Sequence, residues 1–388
     1  MASNLSNYAG REQSYIKHQF LTHYLRAAAY KILQGRSPIF NFVDAFAGPW
    51  QVSDENFSDA SFDQALRTLE AVRVHLATMG AASHRIRFCL CEKRPDAVGR
   101  LRQYAQQRAD FEIHVYPGSF EDNLTAIADA CAEGFTFTFI DPTGWNIRSE
   151  PVLDFLRSRR GEFLLNFMAE HVNRHAGYAQ VSESFGRFLA DPNWTSEFNS
   201  LAPDWGNEER VLHLLKKKIK ETGAALYLPD FPILKPREQR VKMRLILGTN
   251  SEKGLEVFRD TQDKVEREEI ETRNHLRSEG NPQDNLFPDD LIAAMQQKSA
   301  GIGCPAFQRE AELRVMKLLR PTGFLRFDAI STSILEFVPI RMKQLRDLLN
   351  VMRRRDMIEF DLPPRKKLPQ PDTQIRLARS QTRGPGAS

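Results

Sequence analysis

Five apolar runs recur in the first half of this chain, each followed by residues with helical spacing, and this alternation restricts the fold more than any other feature. The runs are Ile39 to Val43, Ile86 to Cys91, Phe111 to Tyr116, Phe135 to Ile140 and Glu162 to Phe167. Between them, Phe62 to Met79, Pro95 to Arg108, Phe120 to Ala132 and Pro151 to Arg159 read as helices. Strands joined through helices need crossover connections, which predicts an α/β fold with a mostly parallel sheet and helices on both faces. An amphipathic helix carrying Tyr15, Ile16, Phe20, Tyr24, Leu25, Ala28 and Ile32 precedes the first strand and ends near Gly35. Residues from about 168 to 220 are polar and helix-rich and read as a helical insertion near the pocket. Ala225 to Leu234 and Arg240 to Leu247 then read as strands close enough to pair antiparallel, followed by a charged helix from Ser251 to about Arg277.

Residues 1–277 therefore form one expected domain, 278–305 a linker, 306–379 a second domain and 380–388 a disordered tail. The second domain has a different grammar. Arg309 to Leu319, Asp328 to Phe337 and Arg341 to Arg355 read as short helices, with strands at Met357 to Leu362 and Thr373 to Leu377. Three helices and a two-stranded ribbon predict a winged helix-turn-helix. Charge follows the same division. Residues 309–388 carry 17 Lys and Arg against 9 Asp and Glu, whereas the rest carries 37 against 41, within a net charge of +4. Such asymmetry points to an anionic partner for the second domain. Arg353, Arg354 and Arg355 fall at the end of the recognition helix, and Arg365, Lys366 and Lys367 at the wing tip, where phosphates of DNA or RNA would lie. A winged helix also serves as a protein docking module.

Composition removes other classes. No stretch approaches 18 consecutive apolar residues, so no transmembrane helix is expected, and the N-terminus shows no secretion signal. Four scattered cysteines, Cys89, Cys91, Cys131 and Cys304, fit a reducing cytoplasm rather than a disulfide framework. Glu170, His171 and His175 invite a metal reading, but no third strong ligand completes the set and no metal is expected.

The chemistry is expected at the strand ends. The first strand ends in Asp44-Ala45-Phe46-Ala47-Gly48-Pro49-Trp50, the second at Glu92, the third at Gly118-Ser119-Phe120 and the fourth at Asp141-Pro142-Thr143-Gly144-Trp145. Parallel strands point the same way, so these groups gather along one edge, where nucleotide-like ligands bind in open α/β sheets. An adenosine ligand with a cationic centre needs such a set. Asp44, Phe46, Ala47 and Gly48 would admit it, Glu92 would accept from ribose hydroxyls, and Ser119 and Phe120 would meet the adenine. No Gly-x-Gly-x-x-Gly fingerprint and no Gly-Lys-Ser/Thr phosphate loop is present, so S-adenosylmethionine fits better than NAD or ATP. Asp141 and Pro142 resemble the start of the Asp-Pro-Pro-aromatic segment of amino-group methyltransferases, with Trp145 one place late. These three residues are the candidates for orienting an amine acceptor, and Asn166 at the fifth strand end is a weaker one.

The pair of segments Asp44 to Pro49 and Phe139 to Gly144, with Lys17 and Tyr24 on the preceding helix, resembles the three-Cys-motif partner (TcmP) family of bacterial proteins. That resemblance covers roughly residues 12 to 375 and implies a Rossmann-like class I methyltransferase domain with a C-terminal winged helix. It also implies S-adenosylmethionine binding, methyl transfer, and a partner protein bearing the cysteine motif. Two residues depart from the pattern. Trp50 stands where a second glycine is usual, and Ser119 stands where an acidic residue is common, with Asp122 as a substitute three residues on. Together these features read as a cytoplasmic methyltransferase acting on an amino group of a nucleic-acid base. A catalytically inactive nucleic-acid- or partner-binding relative and a different nucleotide ligand are the alternatives.

Overall fold

A computed structural model describes residues 5–35, 37–48, 57–80, 84–142, 144–175, 181–278, 289–362 and 365–378. Pro49, Trp50 and Thr143 of the strand-end turns lie outside the described residues, as do 279–288 of the expected linker and the expected tail 380–388. The chain divides into two compact units, Met1–Ser251 and Glu252–Ser388.

In the first unit a 3-10 turn, Leu5–Tyr8, leads into α1 (Glu12–Gly35). Strands and helices then alternate as β1 (Ile39–Asp44), α2 (Ser61–Thr78), β2 (Arg85–Glu92), α3 (Pro95–Gln107), β3 (Glu112–Pro117), α4 (Leu124–Ala130), β4 (Phe135–Ile140), α5 (Ser149–Ser158) and β5 (Gly161–Phe167). Four helices occupy the segment expected as an insertion: α6 (Ala169–His175), α7 (Ser182–Leu189), α8 (Trp194–Ser200) and α9 (Asn207–Glu221). The unit closes with β6 (Asp230–Leu234) and β7 (Val241–Gly248). The sheet order is β3-β2-β1-β4-β5-β7-β6. Pairings from β3 through β5 are parallel, and β7 runs antiparallel to both β5 and β6. This is a Rossmann-like, mostly parallel α/β sheet, with the order reversing beside β1.

The central strands are buried on both faces, which is why they read as continuous apolar runs. In β4 the rings of Phe135, Phe137 and Phe139 share one face. Phe135 meets Phe40 at 5.5 Å and Phe137 stacks on Phe42 at 6.3 Å between centroids. Asn41, polar and fully buried in β1, donates to the Glu133 carbonyl at 2.7 Å and to Thr136 Oγ1 at 3.3 Å, and its Oδ1 accepts from Arg87 at 3.2 Å. Its burial is therefore matched by hydrogen bonds.

Three local elements differ from the sequence reading. Helix α4 starts at Leu124 rather than Phe120 because side chains claim the preceding turn. The Asp122 N–H donates to Ser119 Oγ at 3.1 Å, and Asn123 Nδ2 donates to the Ser119 carbonyl at 2.8 Å. Strand β6 starts at Asp230, later than Ala225, with Tyr227 making only an isolated bridge to Thr249. The ribbon of the second unit has a third strand.

That second unit begins with the charged helix α10 (Glu252–Ser278), so the helix expected to end the first domain is grouped instead with the C-terminal elements. Helix α11 (Asp289–Ala300) lies in the segment expected as linker. Then come α12 (Pro305–Thr322), β8 (Phe324–Arg326), α13 (Phe327–Phe337), α14 (Met342–Arg354), β9 (Ile358–Glu359) and β10 (Gln374–Leu377). The three strands form an antiparallel sheet in the order β8-β10-β9. Gly323 takes a left-handed φ of 74° and stops α12, turning the chain directly into β8. Buried Arg259 of α10 donates to the Leu335 carbonyl at 2.8 Å and the Glu336 carbonyl at 3.0 Å, capping α13.

Gly161 opens β5 where a Cβ would stand 1.8 Å from the Thr136 carbonyl oxygen of β4. Backbone cannot yield there as a side chain would. Gly161→Ala is expected to destabilise the fold by about 1–3 kcal/mol, measured as a lower urea midpoint with an unchanged m-value.

Candidate functional site

A cleft of about 710 Å³ opens at the carboxyl ends of β1 to β5, where the strand order reverses. Its size lies within the range of roughly 300–1,000 Å³ usual for small-molecule sites. Of the residues expected to bind or react, Phe46, Gly48, Glu92, Ser119, Phe120, Asp141 and Pro142 line it. Asp44, Ala47 and Trp145 do not stand among its lining residues.

Asp44 lies beneath the β1 turn, fully buried. Its Oδ1 accepts the Phe46 N–H at 3.1 Å and its Oδ2 accepts the Ser61 hydroxyl at 2.6 Å, tying the turn to the start of α2. Ala47 is buried too, with its N–H on the Cys91 carbonyl at 2.8 Å. Both residues shape the wall from behind. Burial pushes the Asp44 carboxyl up to about 7, against the two hydrogen bonds that favour its charge, with Asp141 adding a further upward push and Lys17 a downward one.

Glu92 ends β2 with 4% of its surface exposed. Its Oε1 accepts the Arg94 N–H at 2.7 Å, which fixes the side chain and leaves Oε2 without a partner among the described residues. Across the cleft edge, Gly118 takes a φ of 106°, a conformation that favours glycine, and its N–H bonds the Glu92 carbonyl at 2.9 Å. Ser119 donates its hydroxyl to Asp122, so the two residues weighed for one position act together. That bond holds the Asp122 carboxyl below its ordinary range, with Arg148 contributing.

The far end of the cleft is more strongly organised than sequence reasoning foresaw. Lys17 of α1, only 8% exposed, reaches across to form an ion pair with Asp141 Oδ2. Asn166 at the end of β5 donates from Nδ2 to Asp141 Oδ1 at 2.6 Å. A carboxylate held by an ammonium group only accepts, so the amide turns its NH2 toward it. The Asn166 Oδ1 is consequently buried with no partner among the described residues. His18, one residue beyond Lys17, accepts or donates through Nδ1 with the Tyr8 hydroxyl at 2.9 Å. Burial, reinforced by Lys17 and partly opposed by Asp141, lowers its imidazole to about 3, so it is neutral. Arg11 completes this wall, paired with Asp59 at 2.7 Å. Helical spacing marks α1 as amphipathic but carries no sign that its polar face meets the strand ends.

Trp145 turns elsewhere. It stacks on Phe185 of α7 at 4.7 Å and donates from Nε1 to Ser184 Oγ at 2.9 Å, fastening the insertion to the sheet. His171 lines the cleft with its ring edge-on to Trp145 at 6.4 Å. Glu170 is committed to Lys242, Lys235 and Arg174, and the two lysines hold its carboxyl down at about 2. His175 ends α6, and its side chain lies outside what is described.

In the second unit Arg353, Arg354 and Arg355 are exposed at the end of α14, and Arg365, Lys366 and Lys367 are exposed between β9 and β10. Arg353 lies over the Phe360 ring at 4.8 Å, and Arg355 pairs with Glu312 at 3.8 Å. Asn350 Nδ2 reaches the Lys367 carbonyl at 3.5 Å, so the helix and the loop present their charges together. Among the described residues no helix is long and apolar enough to cross a membrane.

No protein-family model and no curated protein matches the sequence. Matching solved structures include a Legionella pneumophila protein of the family model DUF519, 12% identical, covering 64% of this chain and 86% of that one with a TM-score of 0.34. An O-methyltransferase from Bacillus cereus in complex with SAH is 11% identical over 60% of this chain and 80% of that one, with a TM-score of 0.32. Loganic acid methyltransferase with SAH is 9% identical over 76% and 90%, with a TM-score of 0.31. Likenesses this distant carry no weight for function.

The Asp44 carboxyl supplies a pH test. Its folded value, about 7, lies above the unfolded 3.8, so the folded state binds the extra proton. The stability it contributes is present below the unfolded value and is lost as pH rises through 7. Between pH 4 and pH 8 the wild type should lose about 4 kcal/mol relative to Asp44→Asn, read from urea unfolding at each pH.

Proposed function

We propose that this protein is an S-adenosylmethionine-dependent methyltransferase whose acceptor is an amino group, on a nucleic-acid base, presented with the help of the second unit. The observation that carries this reading is the cleft itself. It combines a fixed strand-end carboxylate, Glu92, one of whose oxygens has no partner among the described residues, with a glycine turn at Gly118 and the Asp141 cluster on a single edge. Glu92 Oε2 suits the paired hydroxyls of a ribose, because an ionised carboxylate accepts without needing to donate. Gly48, Ala45 and Gly118 leave room for backbone approach, and Ser119 with Phe120 offers a polar and an apolar contact for a purine. When bound, the cofactor supplies an electrophilic methyl group on a positively charged sulfur.

Asp141 is the residue assigned to the acceptor. Its carboxylate retains lone pairs beyond those used by Lys17 and Asn166, and an amine N–H bonded there is oriented rather than deprotonated beforehand. Orientation is the larger need, since the leaving group is already activated. Trp145, with its ring packed on Phe185, acts in this reading through the α7 wall rather than by stacking on the base.

The second unit fits a winged helix in its element order, with α14 as the recognition helix and the α14 end and the β9–β10 loop as the phosphate-facing surfaces. Membership of the three-Cys-motif partner family, and a partner protein bearing that motif, belong to the same proposal and rest on the segments Asp44 to Pro49 and Phe139 to Gly144.

Titration calorimetry with S-adenosylhomocysteine tests the cofactor assignment. Glu92→Gln should weaken binding by about ten- to a hundredfold, the loss of a charged hydrogen-bond acceptor, and affinity unchanged by it would remove Glu92 from the site. Replacing Arg365, Lys366 and Lys367 by Glu should weaken binding of labelled duplex and reduce the slope of log K against log salt by about 3. A salt-independent affinity would argue against a phosphate interface.

A further inference from the structure

Orienting an acceptor amine gives the Asp141 carboxylate a role but does not explain why a lysine from a different element is paired with it. Lys17 is the cation that does so. The other cations lining that end of the cleft are held elsewhere, Arg11 by Asp59 and Lys242 by Glu170. Lys17 lies in α1, 124 residues from Asp141 in sequence, and is almost fully buried, so this is a built contact and not a surface pairing. With Asn166 on the other oxygen, the carboxylate is fixed in plane and its charge is cancelled locally.

We propose that Lys17 is a positioning residue that offsets the charge of Asp141, so that the cleft does not hold the cationic cofactor much more tightly than its neutral product. The inference rests on the proposed cofactor being S-adenosylmethionine. A bare carboxylate at this place would attract a sulfonium cation in the ground state, and attraction spent there deepens the starting well without lowering the barrier. It would also favour the charged ligand over the uncharged thioether by a Coulomb term that a low-dielectric cleft enlarges. The ammonium of Lys17 removes most of that term while leaving lone pairs of Asp141 free for a neutral N–H donor. Asn166 supports the same geometry through its NH2, and its buried Oδ1 has no donor among the described residues.

The test is the ratio of two dissociation constants, measured by calorimetry for S-adenosylmethionine and for S-adenosylhomocysteine on the full chain. Lys17→Gln should shift the ratio about tenfold toward S-adenosylmethionine, Asp141→Asn should shift it about tenfold the other way, and Lys17→Arg should leave it within about threefold of wild type. A ratio that Lys17→Gln leaves at the wild-type value overturns the inference, even if both affinities fall together, because a merely structural loss moves both ligands alike. Should Lys17→Gln fail to fold, an unmoved ratio in Asp141→Asn overturns it equally. Failure of the underlying cofactor reading looks different: the wild type then binds neither ligand.

Discussion

Everything at the cleft depends on β1 being hydrogen-bonded in parallel to both β2 and β4. That pairing places Asp44 opposite Leu90 on one side and Phe139 on the other. It sends the chain outward in opposite directions from one point. The turns after β1 and β4 therefore diverge, and the space between them cannot be filled by either connection. A cleft arises from topology before any side chain is chosen. Helix α1, arriving from before β1, then supplies the wall that carries Lys17 and His18, with Arg11 just ahead of its first turn.

Three carboxylates sit at or under this edge, and each is accommodated differently. Asp44 is buried with two hydrogen bonds and, among the described residues, no ion pair, so desolvation wins and its proton affinity rises. Glu92 keeps one oxygen on backbone and one without a partner among the described residues. Asp141 receives an ammonium group and an amide. Burial disfavours the charged form of a carboxyl, and at Asp44 the two hydrogen bonds do not outweigh it. A cleft with one inward acid, one free acceptor and one compensated anion is thus graded in charge along its length, and that gradation orders the roles assigned to it.

The helical insertion matters for a related reason. Trp145, Phe185 and Trp194 form a chain of ring contacts that binds α7 and α8 to the sheet. Glu170 gathers Lys235 and Lys242 from the β6–β7 hairpin region onto α6. Two residues that look like candidates for chemistry in the sequence, Trp145 after Asp-Pro and Glu170 beside His171, are here engaged in holding the rim. Sequence position near a strand end is shared by catalytic and by rim-fastening residues, and only their contacts separate them.

The amino-acid sequence alone determined the order of the elements in the first unit, the parallel character of the sheet and the strand ends at Asp44, Glu92, Gly118 and Asp141. Those come from local periodicity and from the rule that strands joined through helices cross over in one sense. It also marked three helices and two strands of the second unit, missing β8 because three residues after a glycine stop give no periodic signal. Only the tertiary structure decided that Asp44 faces inward, that Trp145 packs on α7, and that Lys17 crosses to Asp141. The last two are contacts between residues 39 and 124 positions apart, set by how the insertion and α1 pack on the sheet. No local pattern encodes that packing, because the same amphipathic spacing is compatible with several orientations of a helix over a strand edge.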